Sequence, residues 1–509
     1  MICLLRKFIR VGCGAVFLAI VAIGNASSGS DEIKQAKNAY YTAAQAVLDR
    51  NLSRKAITKP AKNIILFIGD GMGISTVTAA RILAGQLQGG TGEENILSWE
   101  KFPYSALSKT YNTDLQVPDS AGTATAFLSG AKTRAGVIGV NQFVVRGGCQ
   151  SARNNTVDTF LELSEKAGLH TGIVTTARLT HATPAAAYAH SPERNWENDA
   201  DIPSSEQQHG CKDIARQFID FSVGDGIDLA FGGGRGNFLP QLVTDQEGMK
   251  GRRKDGRNLV NEWGSRHKDG QYIWNKQGFD HLDVKAKGPV LGLFNSSHMQ
   301  YEVNRASDKG GEPSLAEMTK KALQVLKNKK GGYFLYVEGA RIDHAHHQGN
   351  AYKALHDVVA LAEAVQAAKD MTKGEETLII VTADHSHGFV MTGYPMRGNP
   401  ILGKVLGGDG KNIYEVLGAD GLPYTTVGYY TGPGATEAGK ARQDLGKVNT
   451  EAKNFIQQAA IPMGSEAHSG EDVAIYAEGP DAYLFQGVVE QNYIFHVMYH
   501  ALRLGDRLE

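Results

Sequence analysis

Short, continuous apolar runs recur along the chain and alternate with stretches of helical periodicity. The runs fall at residues 63–71 (N-I-I-L-F-I-G-D-G), 172–176, 227–234, 289–294, 332–339, 377–385 and 472–477. Because they lack polar alternation, they suit strands covered on both faces. Between them lie amphipathic segments such as S-L-A-E-M-T-K-K-A-L-Q-V-L-K and A-Y-K-A-L-H-D-V-V-A-L-A-E-A-V. In the second, Leu355, Val358, Val359, Ala362 and Val365 fall on one helical face. The pattern predicts an α/β fold with a mostly parallel central sheet and helices on both faces. Two segments break the rhythm. Residues 235–288 are charged and irregular, and residues 388–465, rich in Gly, Thr and Tyr, read as an excursion outside the sheet. Residues 31–50, rich in Ala and charge, read as a helix ahead of the first core strand.

Composition narrows the class. A chain of 509 residues accommodates one large α/β domain with insertions, or two domains. With 42% hydrophobic and 21% charged residues it reads as soluble and globular. A formal net charge of −1, with no long Lys/Arg run, argues against a nucleic-acid partner. Arg6, Lys7 and Arg10 precede an apolar stretch, and small residues then offer a cleavage point near Ala26, so residues 1–26 read as an export signal. The alternative, an uncleaved anchor, is disfavoured because the apolar run is shorter than the ~20 residues a span needs. The polar C-terminal segment carries no glycolipid-anchor signal. Removing residues 1–26 leaves Cys149 and Cys211, which in an exported chain form one disulfide or remain two buried thiols.

Several predicted strands end in an acid or a histidine: Asp70, Glu338 and the pair Asp384-His385. In open α/β sheets, ligands bind beyond the carboxyl ends of the strands. Singly, each acid could be a helix cap. Together, uncompensated carboxylates at one sheet edge would repel one another, at a cost of several kcal/mol per buried charge. Bound divalent cations remove that difficulty. The stretch V-E-G-A-R-I-D-H-A-H-H (337–347) adds Asp343 and His347, four residues apart on successive helical turns. Mixed His/Asp ligation points to zinc, and a hydroxyl and carboxylate set to magnesium. In D-S-A-G-T-A-T-A, Ser120 opens a helix whose N-terminus favours an anion beside it, while Asp119 or Ser120 could equally serve as N-cap.

These stretches, with I-G-D-G-M-G (68–73), H-A-T-P-A-A-A-Y-A-H, R-N-W-E-N-D-A-D, T-A-D-H-S-H and A-H-S-G-E-D (467–472), resemble the alkaline phosphatases over nearly the whole mature chain. The resemblance implies one zinc site of Asp343, His347 and His468, and a second of Asp70, Ser120, Asp384 and His385. A magnesium site takes Asp70 again with Thr183 and Glu338. Ser120 is implied as the nucleophile, Arg194 as the grip on the phosphate, and His344 as a water-mediated phosphate contact. Asp119 and His181 support the site from behind. His181 stands where the enterobacterial-type enzyme has aspartate, so it brings no negative charge to the third ion. His346 is left as a supporting or surface residue. Cys149 and Cys211 match the disulfide pair of the animal branch. Asn295 stands where that branch's calcium site has an acid, so no calcium is expected.

The implied organisation is an N-terminal arm at 27–60, a catalytic domain at 61–387 and 466–509, and a crown-like insertion at 388–465, assembled as a two-fold homodimer. The implied activity is hydrolysis of small-molecule phosphate monoesters at alkaline pH through a phosphoserine. It would occur in a periplasmic or extracellular location, with no membrane attachment after signal cleavage. Nucleic acid enters only as a bearer of terminal phosphates. A sulfatase would want a modifiable residue in a C/S-x-P-x-R context, which Ser120-Ala121-Gly122 is not. A diesterase typically uses threonine, and a passive metal or phosphate binder needs no nucleophile.

Overall fold

The computed structural model describes residues 33–409 and 411–508, so the export-signal reading at 1–26 lies outside the described residues. The chain divides into two compact units between Lys55 and Ala56. The first contributes helix α1 (Ala39–Leu52), capped by Asn38, whose side-chain oxygen accepts from the Tyr40 backbone N–H at 2.9 Å. None of its side chains is buried.

The second unit is built on a ten-stranded sheet. In chain order its first eight strands are β1 (Asn63–Gly69), β2 (Tyr104–Lys109), β3 (His170–Arg178), β4 (Leu229–Gly233), β5 (Gln271–Ile273), β6 (Val290–Leu293), β7 (Tyr333–Gly339) and β8 (Thr377–Ala383). The chain then leaves the sheet through β9 (Ser386–His387), β10 (Phe389–Met391), β11 (Leu406–Gly408), β12 (Ile413–Glu415), β13 (Val427–Gly432), β14 (Ala459–Pro462) and β15 (His468–Ser469). It re-enters as β16 (Val473–Glu478) and β17 (Val488–Glu490). The strand order is β17-β2-β16-β8-β1-β7-β3-β4-β6-β5, and β16 alone runs against the others.

Period-two burial explains why the central strands carry unbroken apolar runs. Ile65, Phe67, Val337 and Val381 face one core, under α2 (Ile74–Leu87), α4 (Leu315–Lys327) and α6 (Ala351–Met371). Ile64, Leu66, Phe334 and Ile380 face the other, under α3 (Ser120–Ser129) and α7 (Tyr493–Ala501). Each such side chain contributes about 1.5–3 kcal/mol on burial. On α6 the expected face is buried at Leu355, Val358, Ala362 and Val365, with Val359 on its flank. The fold is therefore the mostly parallel α/β sheet the pattern predicts. Three strands escaped the pattern: β2, β5 and β17 are short or partly exposed edge strands with little apolar signal. The charged stretch 235–288 is also less irregular than its sequence, holding β5 and a helix at Leu259–Arg266.

Register matters most at the centre. Gly69 on β1 is level with Gly339 on β7 and Ala383 on β8, and Ile68 is level with Glu338. Asp70 and Asp384 thus arrive level at one edge, with Glu338 two residues short of them on the neighbouring strand. Away from that edge, Cys149 and Cys211 are joined in a disulfide with Cα atoms 5.8 Å apart, across a sequence separation of 62. Closing a loop of that length restricts the unfolded chain. The double variant Cys149→Ser/Cys211→Ser is expected to lose about 2–4 kcal/mol of unfolding free energy, read from denaturant midpoints of oxidised protein. An unchanged midpoint would show that the bridge does not constrain the unfolded chain.

Candidate active site and metal centre

The short links after β1 and β8 set the first cluster. Asp70 follows β1 directly and Asp384 follows β8, and both are completely buried with His385. Asp384 Oδ1 accepts from the backbone N–H groups of Gly71 and His385, each at 2.9 Å. Gly71 has φ +69°, and a Cβ there would lie 2.5 Å from the His387 ring, so glycine is required by both backbone and space. His385 Nδ1–H points to the Ser386 carbonyl at 3.3 Å. That tautomer leaves the Nε2 lone pair facing Ser120 Oγ (3.0 Å), Asp70 Oδ1 (3.4 Å) and Asp384 Oδ2 (3.3 Å). Asp70 Oδ1 and Asp384 Oδ2 have no hydrogen-bond partner among the described residues. Burial, then the neighbouring Asp384, Asp343 and Glu338, push the Asp70 carboxyl well above its usual range, and burial raises Asp384 as well.

The second cluster sits on α5 (Arg341–His347), which begins two residues after β7. Asp343 Oδ1 lies 3.4 Å from His347 Nε2 and 3.4 Å from His468 Nε2, and those two nitrogens are 3.1 Å apart. Each imidazole donates its other N–H to a backbone carbonyl, His347 to Glu466 at 2.7 Å and His468 to Pro118 at 2.8 Å. Two ring lone pairs and a carboxylate oxygen therefore converge with no proton to share among all three. That is the donor set a cation needs.

A third group is purely oxygen. Glu338 is fully buried, accepts from Thr175 Oγ1 at 2.6 Å, and leaves Oε1 without a partner. Burial pushes its carboxyl up to about 8. Thr183 Oγ1 donates to Asp70 Oδ2 at 3.3 Å, which places Asp70 between this group and the first cluster. Unpartnered buried oxygens on Asp70, Asp384 and Glu338 are costly unless a cation satisfies them. The residues present fit bound ions.

Ser120 is buried at the N-terminus of α3, where Asp119 Oδ1 accepts from the Gly122 N–H at 3.1 Å. Asp119 is thus the N-cap, and it also receives Arg194 Nη1 through Oδ2 at 3.0 Å. Arg194 Nη2 lies 3.4 Å from His181 Nε2. Burial, reinforced by Arg194, lowers the His181 ring well below its ordinary value and keeps it neutral. His344 Nδ1 accepts from Arg341 Nη1 at 3.0 Å, and burial followed by Arg341 holds this imidazole down to about 3.

A family model described as alkaline phosphatase matches residues 61–504. The chain belongs to the alkaline phosphatase family. The tissue-nonspecific alkaline phosphatase of Felis catus is 45% identical over 501 residues, covering 96% of this chain and 93% of the relative. The Homo sapiens tissue-nonspecific isozyme is 44% identical over the same shares, and the Gadus morhua alkaline phosphatase is 45% identical over 91% of this chain and 96% of its own. Among solved structures, the Thermus thermophilus alkaline phosphatase shares the fold at a TM-score of 0.62 and 24% identity, over 89% of this chain and 93% of that one. The alkaline phosphatase of the Antarctic bacterium TAB5 does so at 0.59 and 22%, over 88% and 99%.

Sequence reasoning missed residues that support the alkaline phosphatase site. His387 donates Nε2–H to Asp343 Oδ1 at 2.8 Å and Nδ1–H to the Glu466 carboxylate. Burial opposes its charge, but Asp343 and Glu466 outweigh burial and push the ring up to about 9. Both ring nitrogens of His387 are engaged by carboxylates, which leaves no lone pair for a cation, so His387 holds Asp343 in place. The i,i+2 histidines of T-A-D-H-S-H were the available signal. Thr175 and Glu466 gave none. His346, left between a supporting and a surface position, is completely buried between Thr76 Oγ1 (3.1 Å) and Tyr429 OH (2.8 Å), so the surface alternative is wrong.

Chelator stripping is expected to lower the unfolding midpoint by about 4 °C, the effect of losing about 4 kcal/mol of ion binding, and added zinc should restore it. His387→Ala should weaken zinc affinity about 10–100-fold in competition titrations while leaving the maximum stoichiometry unchanged. Native affinity in that variant would refute its role in holding Asp343.

Proposed function

We propose that this alkaline phosphatase family member hydrolyses phosphate monoesters through a phosphoserine on Ser120, with release of inorganic phosphate. The reading is carried by one observation: Ser120 Oγ lies 3.0 Å from an imidazole nitrogen that sits among buried, unpartnered carboxylate oxygens. Zinc held by Asp343, His347 and His468, zinc held by Asp70, Ser120, Asp384 and His385, and magnesium held by Asp70, Thr183 and Glu338 supply positive charge that stabilises anionic oxygens of the reacting phosphoryl group.

The protein's own groups account for the remaining steps. His385 Nε2, 3.0 Å from Ser120 Oγ, fixes that oxygen beside the donor set that would hold the second zinc. The N-terminus of α3 favours the dianion beside that oxygen. Asp119 fixes one terminal nitrogen of Arg194, which orients the planar fork for bidentate contact with two non-bridging oxygens. Ser120 Oγ gives its proton to solvent and bonds to phosphorus as the bond to the ester oxygen breaks, and the departing oxygen takes a proton from water. A water oxygen then bonds to phosphorus as the Ser120 Oγ–P bond breaks, which frees inorganic phosphate and returns a proton to Ser120. The neutral His344 and His181 rings offer hydrogen bonds without adding charge. Transfer through a loose transition state depends mainly on such positioning and charge.

The same proposal extends to assembly and location. Helix α1, none of whose side chains is buried, and the exposed Tyr394, Tyr430 and Met463 of the 388–465 insertion support a two-fold dimer. The disulfide and the N-terminal basic-apolar-small pattern support export, with the 27–60 arm and the 61–387 and 466–509 catalytic domain as implied above. No helix among the described residues is long and apolar enough to cross a membrane.

The test compares an aryl phosphate monoester, a diester and a sulfate, with and without chelator. Monoester turnover should dominate and fall away on chelation; dominant diester turnover, or a monoester rate indifferent to chelation, would refute the assignment. Ser120→Ala should lower kcat by about 10³-fold or more and abolish trapping of phosphoenzyme, with zinc content near native. Loss of zinc in that variant would instead make Ser120 chiefly a metal-holding residue.

A further inference from the structure

Three imidazoles, His181, His298 and His344, lie beside the phosphate grip with ring nitrogens close enough together to hold a cation. Their neighbours exclude one. Arg194 Nη2 faces His181 Nε2 at 3.4 Å, and Arg341 Nη1 donates to His344 Nδ1 at 3.0 Å. Arg178 approaches both nitrogens of His298, through its backbone N–H (3.3 Å) and its guanidinium (2.5 Å). The lone pairs a metal would use are taken, and three guanidinium groups stand where a cation would sit. This wall of the site is built for anions.

Of those three guanidinium groups, Arg194 is paired with Asp119 and Arg178 with Glu197. Arg341 has no carboxylate at ion-pair distance among the described residues. It lies 3.9 Å over the Tyr301 ring, with Lys353 Nζ 5.0 Å from the same centroid. Lys453 donates to the Val303 carbonyl at 2.7 Å, two residues beyond Tyr301, and it is exposed. Neither lysine has an ion-pair partner among the described residues. Asp357 acts on both Arg341 and Lys353, yet it is buried, receives only long contacts from the Glu302 N–H, and is pushed by burial up to about 8. Burial, then Arg341 and Lys453, push the Lys353 ammonium down and outweigh the opposing pull of Asp357, as expected where positive charges face one another.

We propose that Arg341, Lys353 and Lys453, gathered around Tyr301 beside His344, form a second anion subsite that takes a second phosphoryl group carried on the substrate's leaving group. The proposal rests on the phosphomonoesterase reading above. From Ser120 the rings run to His385, then His468 stacked on it at 3.6 Å, then His347 on α5. From the grip itself, Arg194 meets His181, whose ring lies 5.4 Å from that of His344, and His344 meets Arg341, so the three cations adjoin the place where a phosphoryl group would be held. A dianion there matches three cations better than a neutral alcohol or a monoanion does.

The test uses the metal-saturated enzyme at low ionic strength. It measures kcat/KM for the bisphosphate and the monophosphate of propane-1,3-diol, and reports their ratio. Arg341→Met should lower the ratio about tenfold, and Lys353→Met about threefold. Added salt should lower the wild-type ratio, because the rim is open to solvent. The ratio is insensitive to partial loss of active protein, and Lys353→Met and Lys453→Met stand in if Arg341→Met does not fold. A ratio unchanged in every variant overturns the subsite. The phosphate ester of 4-hydroxybutanoate should gain less than the bisphosphate, and an equal or larger gain overturns the assignment to a phosphoryl group. If the wild type hydrolyses neither diol ester, the phosphomonoesterase reading itself falls, and that outcome is distinct from hydrolysis of both at equal efficiency.

Discussion

Repulsion among buried carboxyl groups at one sheet edge is the constraint on which the rest of this structure depends. Asp70, Glu338 and Asp384 are completely buried, and register brings them to the same end of three adjacent strands, Asp70 level with Asp384 and Glu338 two residues short of both. Without counter-charge each is driven toward its protonated form, and burial is the largest cause in every case. A fold that only had to be stable would replace them with apolar residues, since buried charge is rarely worth its desolvation. Their persistence beside a serine at a helix N-terminus makes sense as a preformed cation cage whose negative charge is already assembled.

Asp343 belongs to the same neighbourhood but behaves in the opposite way. Burial would raise it, yet His347, His387 and His468 hold it well below the ordinary carboxylate range. The two halves of the site are therefore different chemically. One presents nitrogen lone pairs around an ionised carboxylate, and the other presents oxygens that lack any positive partner. Borderline-soft zinc suits the first, and a hard oxygen-seeking ion suits the Asp70, Thr183 and Glu338 group. The proposed division of ions follows from this contrast in donors rather than from the number of acids alone.

Much of this was legible in the sequence. Apolar runs without alternation located β1, β3, β4, β6, β7, β8 and β16, because strands buried on both faces admit little else. Asp70, Glu338 and Asp384 were legible because an acid ending such a run has no bland reason to be there in triplicate. What escaped shares one physical feature: its role depends on partners distant in sequence. Thr175 is an ordinary strand threonine until Glu338 lies beside it, and Glu466 is an ordinary loop acid until His387 reaches it. His346 looked expendable beside two proposed ligands, and only the packing of Thr76 and Tyr429 around it shows that it is locked inside. Edge strands such as β2 escaped for a local reason, since half-exposed residues blur the apolar signal.

The 388–465 excursion is more than an appendage to the site. Tyr429 on β13 reaches His346, and Glu466, the residue at which the excursion rejoins the catalytic segment, contacts His347 through its backbone and His387 through its side chain. The Glu466 N–H also donates to the His347 carbonyl at 2.9 Å, so the C-terminal turn of α5 is held from outside the central sheet. The oxygen-rich group, by contrast, is held by β1, β3 and β7 and by the turn bearing Thr183, all within the sheet and its immediate links. One half of the centre therefore inherits the rigidity of the core, while the other depends on how firmly the excursion is packed. Any looseness in the excursion reaches Asp343 and its histidines before it reaches Glu338.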